Sequence, residues 1–170
     1  MTDSLKDDIY WMQQAIELAK KAEAQGEIPV GAILVAEGKV IAEGWNQSIS
    51  RHDPTAHAEI VAIREAGQFI ENYRLIDTTL YVTLEPCPMC VGAMVHARIA
   101  RVVFGASDYK TGAIHSAMNL IEHESHNHKM EFEAGVCSDT CSQQLSDFFK
   151  KRRAEKKALK KQSANSKEEH

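Results

Sequence analysis

Between Asp7 and Ala24 the apolar residues Ile9, Met12, Ala15, Ile16 and Ala19 fall at helical spacing, and Gly26 and Pro29 follow where a helix would stop. Val30 to Val35 is a short apolar run. Gly38 turns the chain into Val40-Ile41-Ala42, and together these predict a hairpin. A polar loop, Ser48 to Thr55, leads into a predicted helix from Ala56 to Gln68. Thr79 to Leu84, β-branched and apolar, predicts a strand. Pro88, tolerated in the first helical turn, opens a helix to about Arg98. Arg101 to Phe104 and Met130 to Val136 predict two further strands, and Ser138 to about Lys161 a long terminal helix frayed at its basic end. Five strands alternate with helices, without repeats or long linkers. The expected class is α/β, with helices packed on a mixed five-stranded sheet.

Composition adds one asymmetry. The 170 residues are 44% hydrophobic and 26% charged, enough for one domain with a sizeable core. Residues 150–170 hold nine Lys/Arg against three Glu, a net of +6, so the overall −4 leaves −10 for residues 1–149. An acidic body with a basic tail suggests a polyanionic partner docking at one end. We therefore expect a catalytic or binding domain over 1–149 and a basic helix end and tail over 150–170. No apolar run approaches the roughly 20 residues needed to cross a bilayer. No leader-like opening precedes the first helix. The expected location is the cytoplasm, without membrane contact, where the four cysteines stay reduced and serve metal ligation or packing.

Two segments carry chemistry: His57-Ala58-Glu59 and Pro86-Cys87-Pro88-Met89-Cys90. Cys87 and Cys90, at a strand-to-helix junction, can place two thiolates on one tetrahedral centre, and His57 can add a third ligand from its own helix start. Zinc favours such sulfur and nitrogen donors, and three protein ligands leave a position open for catalysis. Helix N-termini at the cysteines help keep the sulfurs ionised. Glu59 is not needed to complete that shell. A carboxylate placed beside a metal-activated water can move its proton. A structural zinc site would want a fourth protein ligand and no Glu59.

With these motifs on the chain, the sequence resembles the zinc-dependent cytidine deaminase-like superfamily, and within it the tRNA-acting adenosine deaminases. The likeness runs from Tyr10-Trp11-Met12 to Phe148-Phe149. It is densest in Arg51 to Glu59, Asn72 to Asp77, Val103 to Ala106, and Lys110-Thr111-Gly112-Ala113. The resemblance implies a three-layer α/β/α fold, one zinc per chain on His57, Cys87 and Cys90, and Glu59 as proton shuttle. The reaction it implies is hydrolytic attack at C6 of adenine in a tRNA anticodon loop, at the wobble position, giving inosine. It also implies that the Ala58 amide sits near the developing oxygen and that Asn46 hydrogen-bonds the flipped nucleotide. Val30, Leu84 and Glu85 would line the pocket, Asp108 would belong to a loop meeting the nucleic acid, and the enzyme would be a homodimer. Nothing is transferred onto Ile121 to Lys129.

Other features have plainer explanations. His123, His126 and His128 lie in a polar stretch expected to be a solvated loop. Cys137 and Cys141, one helical turn apart, are expected to be packed thiols. Met89 and Met94 fit core or subunit-interface packing. The basic run Lys150 to Arg153 could be no more than a soluble helix face. Phe148-Phe149 beside it favours stacking on unpaired bases, with Phe149, Arg152 and Arg153 as expected RNA contacts, unless the aromatics pack in the core. A guanine or other free-base or nucleoside deaminase would share the zinc chemistry but has no use for a basic terminal helix. A zinc-stabilised RNA-binding module would have no use for Glu59.

Overall fold

The computed structural model describes residues 3–168, with side chains from Lys6 onward. Nine elements follow in order: α1 (Asp3–Ala24), β1 (Gly31–Ala36), β2 (Lys39–Trp45), α2 (Ala58–Ile70), β3 (Thr79–Leu84), α3 (Pro88–His96), β4 (Arg101–Ala106), β5 (Glu131–Glu133) and α4 (Ser138–Glu168). The sheet order is β2-β1-β3-β4-β5. β1 runs antiparallel to both β2 and β3, while β3, β4 and β5 are mutually parallel. The mixed five-stranded sheet is therefore as expected.

Period-two alternation divides the core into two layers. Ile33, Val35, Tyr81 and Val103 face Met12, Ile16 and Cys141 of α1 and α4. Leu34, Leu80, Val82, Val102 and Phe104 face Ala58, Ala62, Val91 and Met94 of α2 and α3. Gly44 lets α2 come close: a Cβ there would stand 2.7 Å from Ala62 N and collide with the Ala58 carbonyl. The start of α2 is thus pressed onto the sheet at the residues that matter for chemistry. On the opposite face, the Asp8 carboxylate takes a bidentate pair from Arg101 (2.9 and 2.7 Å) and the Tyr81 hydroxyl (2.8 Å), tying α1 to β3 and β4.

Several boundaries differ from the sequence expectation. α2 begins at Ala58 rather than Ala56, because Ala56 and His57 are still in the loop. β5 shrinks to three residues: past Glu133 the regular ladder breaks, Gly135 takes φ 82°, and the Gly135 and Val136 amides both converge on Phe104 O of β4 (3.0 and 3.3 Å). α4 does not fray at Lys161 but continues to Glu168, in a segment rich in strong helix formers. Phe148 is buried, and past Lys150 the helix runs on exposed apart from half-buried Arg152. Among the described residues, no helix is long and apolar enough to cross a membrane.

Candidate metal centre and active-site pocket

Two helix starts converge beyond the carboxyl ends of β3 and β4, where open α/β sheets commonly bind ligands. His57 is the N-cap of α2 and Cys87 the N-cap of α3, both with extended backbone, and neither side chain caps its helix. Pro88 supplies the first residue of α3, which brings Cys90 round one turn beside Cys87. His57 Nδ1 lies 3.6 Å from Cys87 Sγ and 3.6 Å from Cys90 Sγ. Zinc–sulfur bonds of about 2.3 Å and zinc–nitrogen bonds of about 2.0–2.1 Å at a tetrahedral angle put nitrogen and sulfur about 3.6 Å apart. The donor set therefore fits zinc in both kind and spacing. Among the described residues it is also the only His/Cys/Asp/Glu group close enough to share an ion. The adjacent Cys90 thiol and His57 hold the Cys87 thiol down to about 4, while the closeness of Cys87 and burial push Cys90 up.

Glu59 lies in the first turn of α2, 4% exposed. Burial pushes its carboxyl up, against the opposing pull of hydrogen bonds from its own backbone amide and Cys90. With His57 and Cys87 it lines a cavity of about 190 Å³, whose walls include Val30, Asn46, Leu84, Glu85 and Asp108. The structure thus brings eight of the thirteen expected residues to the wall of one hollow.

Three details refine the expectation. The Ala58 amide is engaged: it donates to Asn46 Oδ1 at 2.8 Å, so Asn46 caps α2 in place of His57 and leaves its NH2 to other partners. The Asp108 carboxylate is turned into its own loop, accepting from Lys110 N, Thr111 N and the Thr111 hydroxyl at 3.0–3.1 Å. Phe149, Arg152 and Arg153 do not line the pocket. Phe149 and Arg153 are exposed, whereas Arg152 sits half-buried over the Phe148 ring, 5.6 Å from its centre. Arg152 also helps keep Glu27 ionised. Burial alone would raise that carboxyl, but hydrogen bonds from the amides of Ser50 and Ile49 (2.9 Å each) outweigh it and the net shift is downward.

Sequence reasoning missed Ile28 and Thr111 in the pocket wall. Thr111 stood inside a stretch already picked out, but nothing local marks Ile28. His128 is not merely solvated, since its Nε2 donates to Ile99 O at 2.6 Å. Cys137 and Cys141 are packed thiols, and burial pushes Cys141 up to about 12. Met94 is wholly buried and Met89 exposed.

A sequence profile for the cytidine and deoxycytidylate deaminase zinc-binding region matches residues 5–106. A tRNA-specific adenosine deaminase from Haemophilus influenzae is 60% identical over 147 residues, 86% of this chain and 85% of that protein. One from Bacillus subtilis is 47% identical over 156 residues, 92% of this chain and 96% of that protein. A solved structure from studies of A-to-I editing by tRNA:A34 deaminases at the wobble position of transfer RNA matches with a TM-score of 0.78 at 38% identity, covering 80% of this chain and 99% of that one. A guanine deaminase structure from Nitrosomonas europaea shares the fold, with a TM-score of 0.70 at 23% identity over 82% of this chain and 83% of that one. The chain belongs to the zinc-dependent cytidine and deoxycytidylate deaminase family, in its branch of tRNA-specific adenosine deaminases.

Proposed function

We propose that this protein deaminates adenosine to inosine at the wobble position of a tRNA anticodon, by hydrolysis at C6 with release of ammonia. The observation that carries the chemistry is the His57, Cys87 and Cys90 cluster opening onto a pocket that also holds buried Glu59. Zinc held by those three residues supplies Lewis acidity, which lets water act as a nucleophile near neutral pH. Glu59 takes a proton from the attacking water and delivers it to N1 of the base, then assists departure of the amine. Val30 and Leu84 supply apolar walls, while Asn46 offers its NH2 to the nucleotide. A cavity of about 190 Å³ admits one base and not a pair, so the adenine enters unstacked from a loop.

The RNA assignment draws on the names of the similar proteins and on the basic end of α4. In this reading residues 1–149 perform the chemistry and 150–170 grip phosphate, with Phe149 stacking and Arg152 and Arg153 pairing with the backbone. The protein acts in the cytoplasm as a homodimer. Exposed Phe69, Tyr73 and Ile76 are apolar surface available to a second copy.

The test is incubation of zinc-loaded protein with total tRNA, free guanine and cytidine in parallel, followed by nucleoside and base analysis. Inosine in the wobble position of tRNA, without xanthine or uridine from the small substrates, is the expected result. Turnover of guanine or cytidine with no inosine in tRNA would replace the proposal with a small-substrate deaminase.

A further inference from the structure

Glu85 follows the last residue of β3 and precedes the metal-ligand pair by one proline. Its side chain is shut off from solvent. Oε1 accepts the Asp108 amide at 3.1 Å. Oε2 accepts the amides of Ile114, His115 and Ser116 at 3.1, 3.0 and 3.0 Å. A carboxylate oxygen has about two lone-pair sites, so Oε2 is fully occupied. All four amides belong to the segment 108–116, which closes one wall of the pocket through Asp108 and Thr111. Gly112, inside that segment, is wedged against the same carboxylate: a Cβ there would stand 2.6 Å from Glu85 Oε2 and collide with the Asp108 carbonyl. Sequence resemblance pointed to Glu85 as a pocket residue. The geometry gives it other work.

We propose that Glu85 is a positioning residue: through the backbone amides of residues 108 and 114–116 it fixes the loop that forms one wall of the base pocket, without itself bonding to the base. A segment of nine residues with little regular structure would otherwise sample many conformations, and a wall displaced by about 1 Å can cost on the order of a hundredfold in rate. One buried carboxylate gathers four donors that no strand or helix satisfies. Gly112 is required because the carboxylate fills the space its side chain would need. Thr111, lining the pocket one residue before that contact, is placed by the same clasp. The inference rests on the deaminase assignment for this pocket, but the loop clasp can be measured without any substrate.

The experiment uses Glu85→Gln and Gly112→Ala, singly and together, in the zinc-loaded protein. Gln keeps the shape, yet whichever way its amide turns, the NH2 faces at least one backbone N–H and that bond is lost. Hydrogen exchange at the amides of residues 108 and 114–116 is expected to rise on the order of ten- to hundredfold, with the central strands β1 and β3 unchanged. Zinc content stays at one per chain, and KM for an anticodon stem-loop rises more than kcat falls. Gly112→Ala, which alters no acceptor, should reproduce the pattern, and the double variant should be no worse than the more damaging single. Wild-type exchange in 108–116 for Glu85→Gln would overturn the proposal. So would loss of zinc, or loss of activity with the loop still protected, since Glu85 would then act on the metal site or on the base directly. If Glu85→Gln does not fold, Gly112→Ala alone decides by the same exchange and kinetic criteria. Failure of the deaminase assignment would show as absent turnover in the parent protein with the clasp intact.

Discussion

Around the pocket, almost every polar group already has a partner, whereas along α4 past Phe149 almost none does. Asn46 is bonded to the Ala58 amide, Glu85 to four loop amides, Glu27 to Ile49 and Ser50, and His57 lies against both sulfurs. From Lys150 to Lys161 there are eight Lys/Arg and one Glu, none of them paired in a salt bridge among the described residues. The contrast matches the division of labour proposed for the two regions. Attack at one carbon needs reacting groups held within a few tenths of an ångström, so the site is bonded in advance. Holding a polyanion needs charge density, which works through released counterions and tolerates loose geometry. The two regions should therefore fail in different ways: one in the chemical step, the other in affinity and its dependence on salt.

The sharpest separation comes from Glu59→Gln. It preserves volume, keeps a hydrogen-bonding group and removes only the ability to carry a proton. Single-turnover inosine formation should fall by about 100- to 10,000-fold, the usual contribution of a general acid–base group. Zinc content and tRNA affinity should be unchanged. A metal-loaded variant with a rate within a few-fold of the parent would remove Glu59 from the mechanism, and a fall in affinity instead would erase the distinction between the two regions.

The pocket's chemistry could be read from the chain because it is local. His-x-Glu and Cys-x-x-Cys each sit at a helix start, where spacing alone brings the ligands of a segment together. The strand and helix order was readable for the same reason, since period-two and period-3.6 patterns are short-range. What could not be read depends on contacts across the fold. Glu27 reaches Ile49 and Ser50, and Glu85 reaches residues 108 to 116, separations of 22 to 31 positions that no local pattern encodes. Ile28 enters the pocket wall from the irregular segment ahead of β1, where no periodic pattern marks it. α4 runs past the expected end near Lys161 to Glu168: on a fully exposed face no apolar periodicity marks where a helix stops, and Lys, Glu and Ala favour its continuation.

The second break acts on α4. Lys150, Lys151 and Arg153 are exposed, whereas Arg152 rests on Phe148 and faces Glu27. Changing the three exposed cations to Gln removes charge and leaves that packing alone. If all three neutralise phosphate, the slope of log affinity against log salt becomes shallower by about 2 to 3. At low salt the affinity for tRNA should drop roughly ten- to hundredfold, while single-turnover rate at saturation stays at the parent value. Identical binding across a salt series would mean that these cations never meet phosphate.

The least effect on turnover is expected on the far side of the sheet, at Asp8. Burial alone would raise its carboxyl, but the hydrogen bonds from Arg101 and Tyr81 outweigh this and hold it below the usual range. A carboxyl depressed on folding stabilises the protein above its unfolded value, about 3.9, and that contribution disappears as pH falls through the folded value. Asp8→Asn should therefore be less stable than the parent at neutral pH, by about 1–3 kcal/mol for the charged hydrogen bonds lost. The gap should persist down to about pH 5 and narrow progressively below about pH 4, as the unfolded chain's carboxyl takes up a proton that the folded one still resists. Denaturant titrations of both proteins from pH 7 to pH 3 measure this directly. Since Asp8 packs with α1 on the face opposite the pocket, inosine formation by the folded variant at pH 7 should match the parent. A pH-independent gap would mean that Asp8 acts through packing rather than charge. A change in turnover would mean that the α1 face and the pocket are coupled through β3, where Tyr81 stands three residues before Leu84 in the pocket wall.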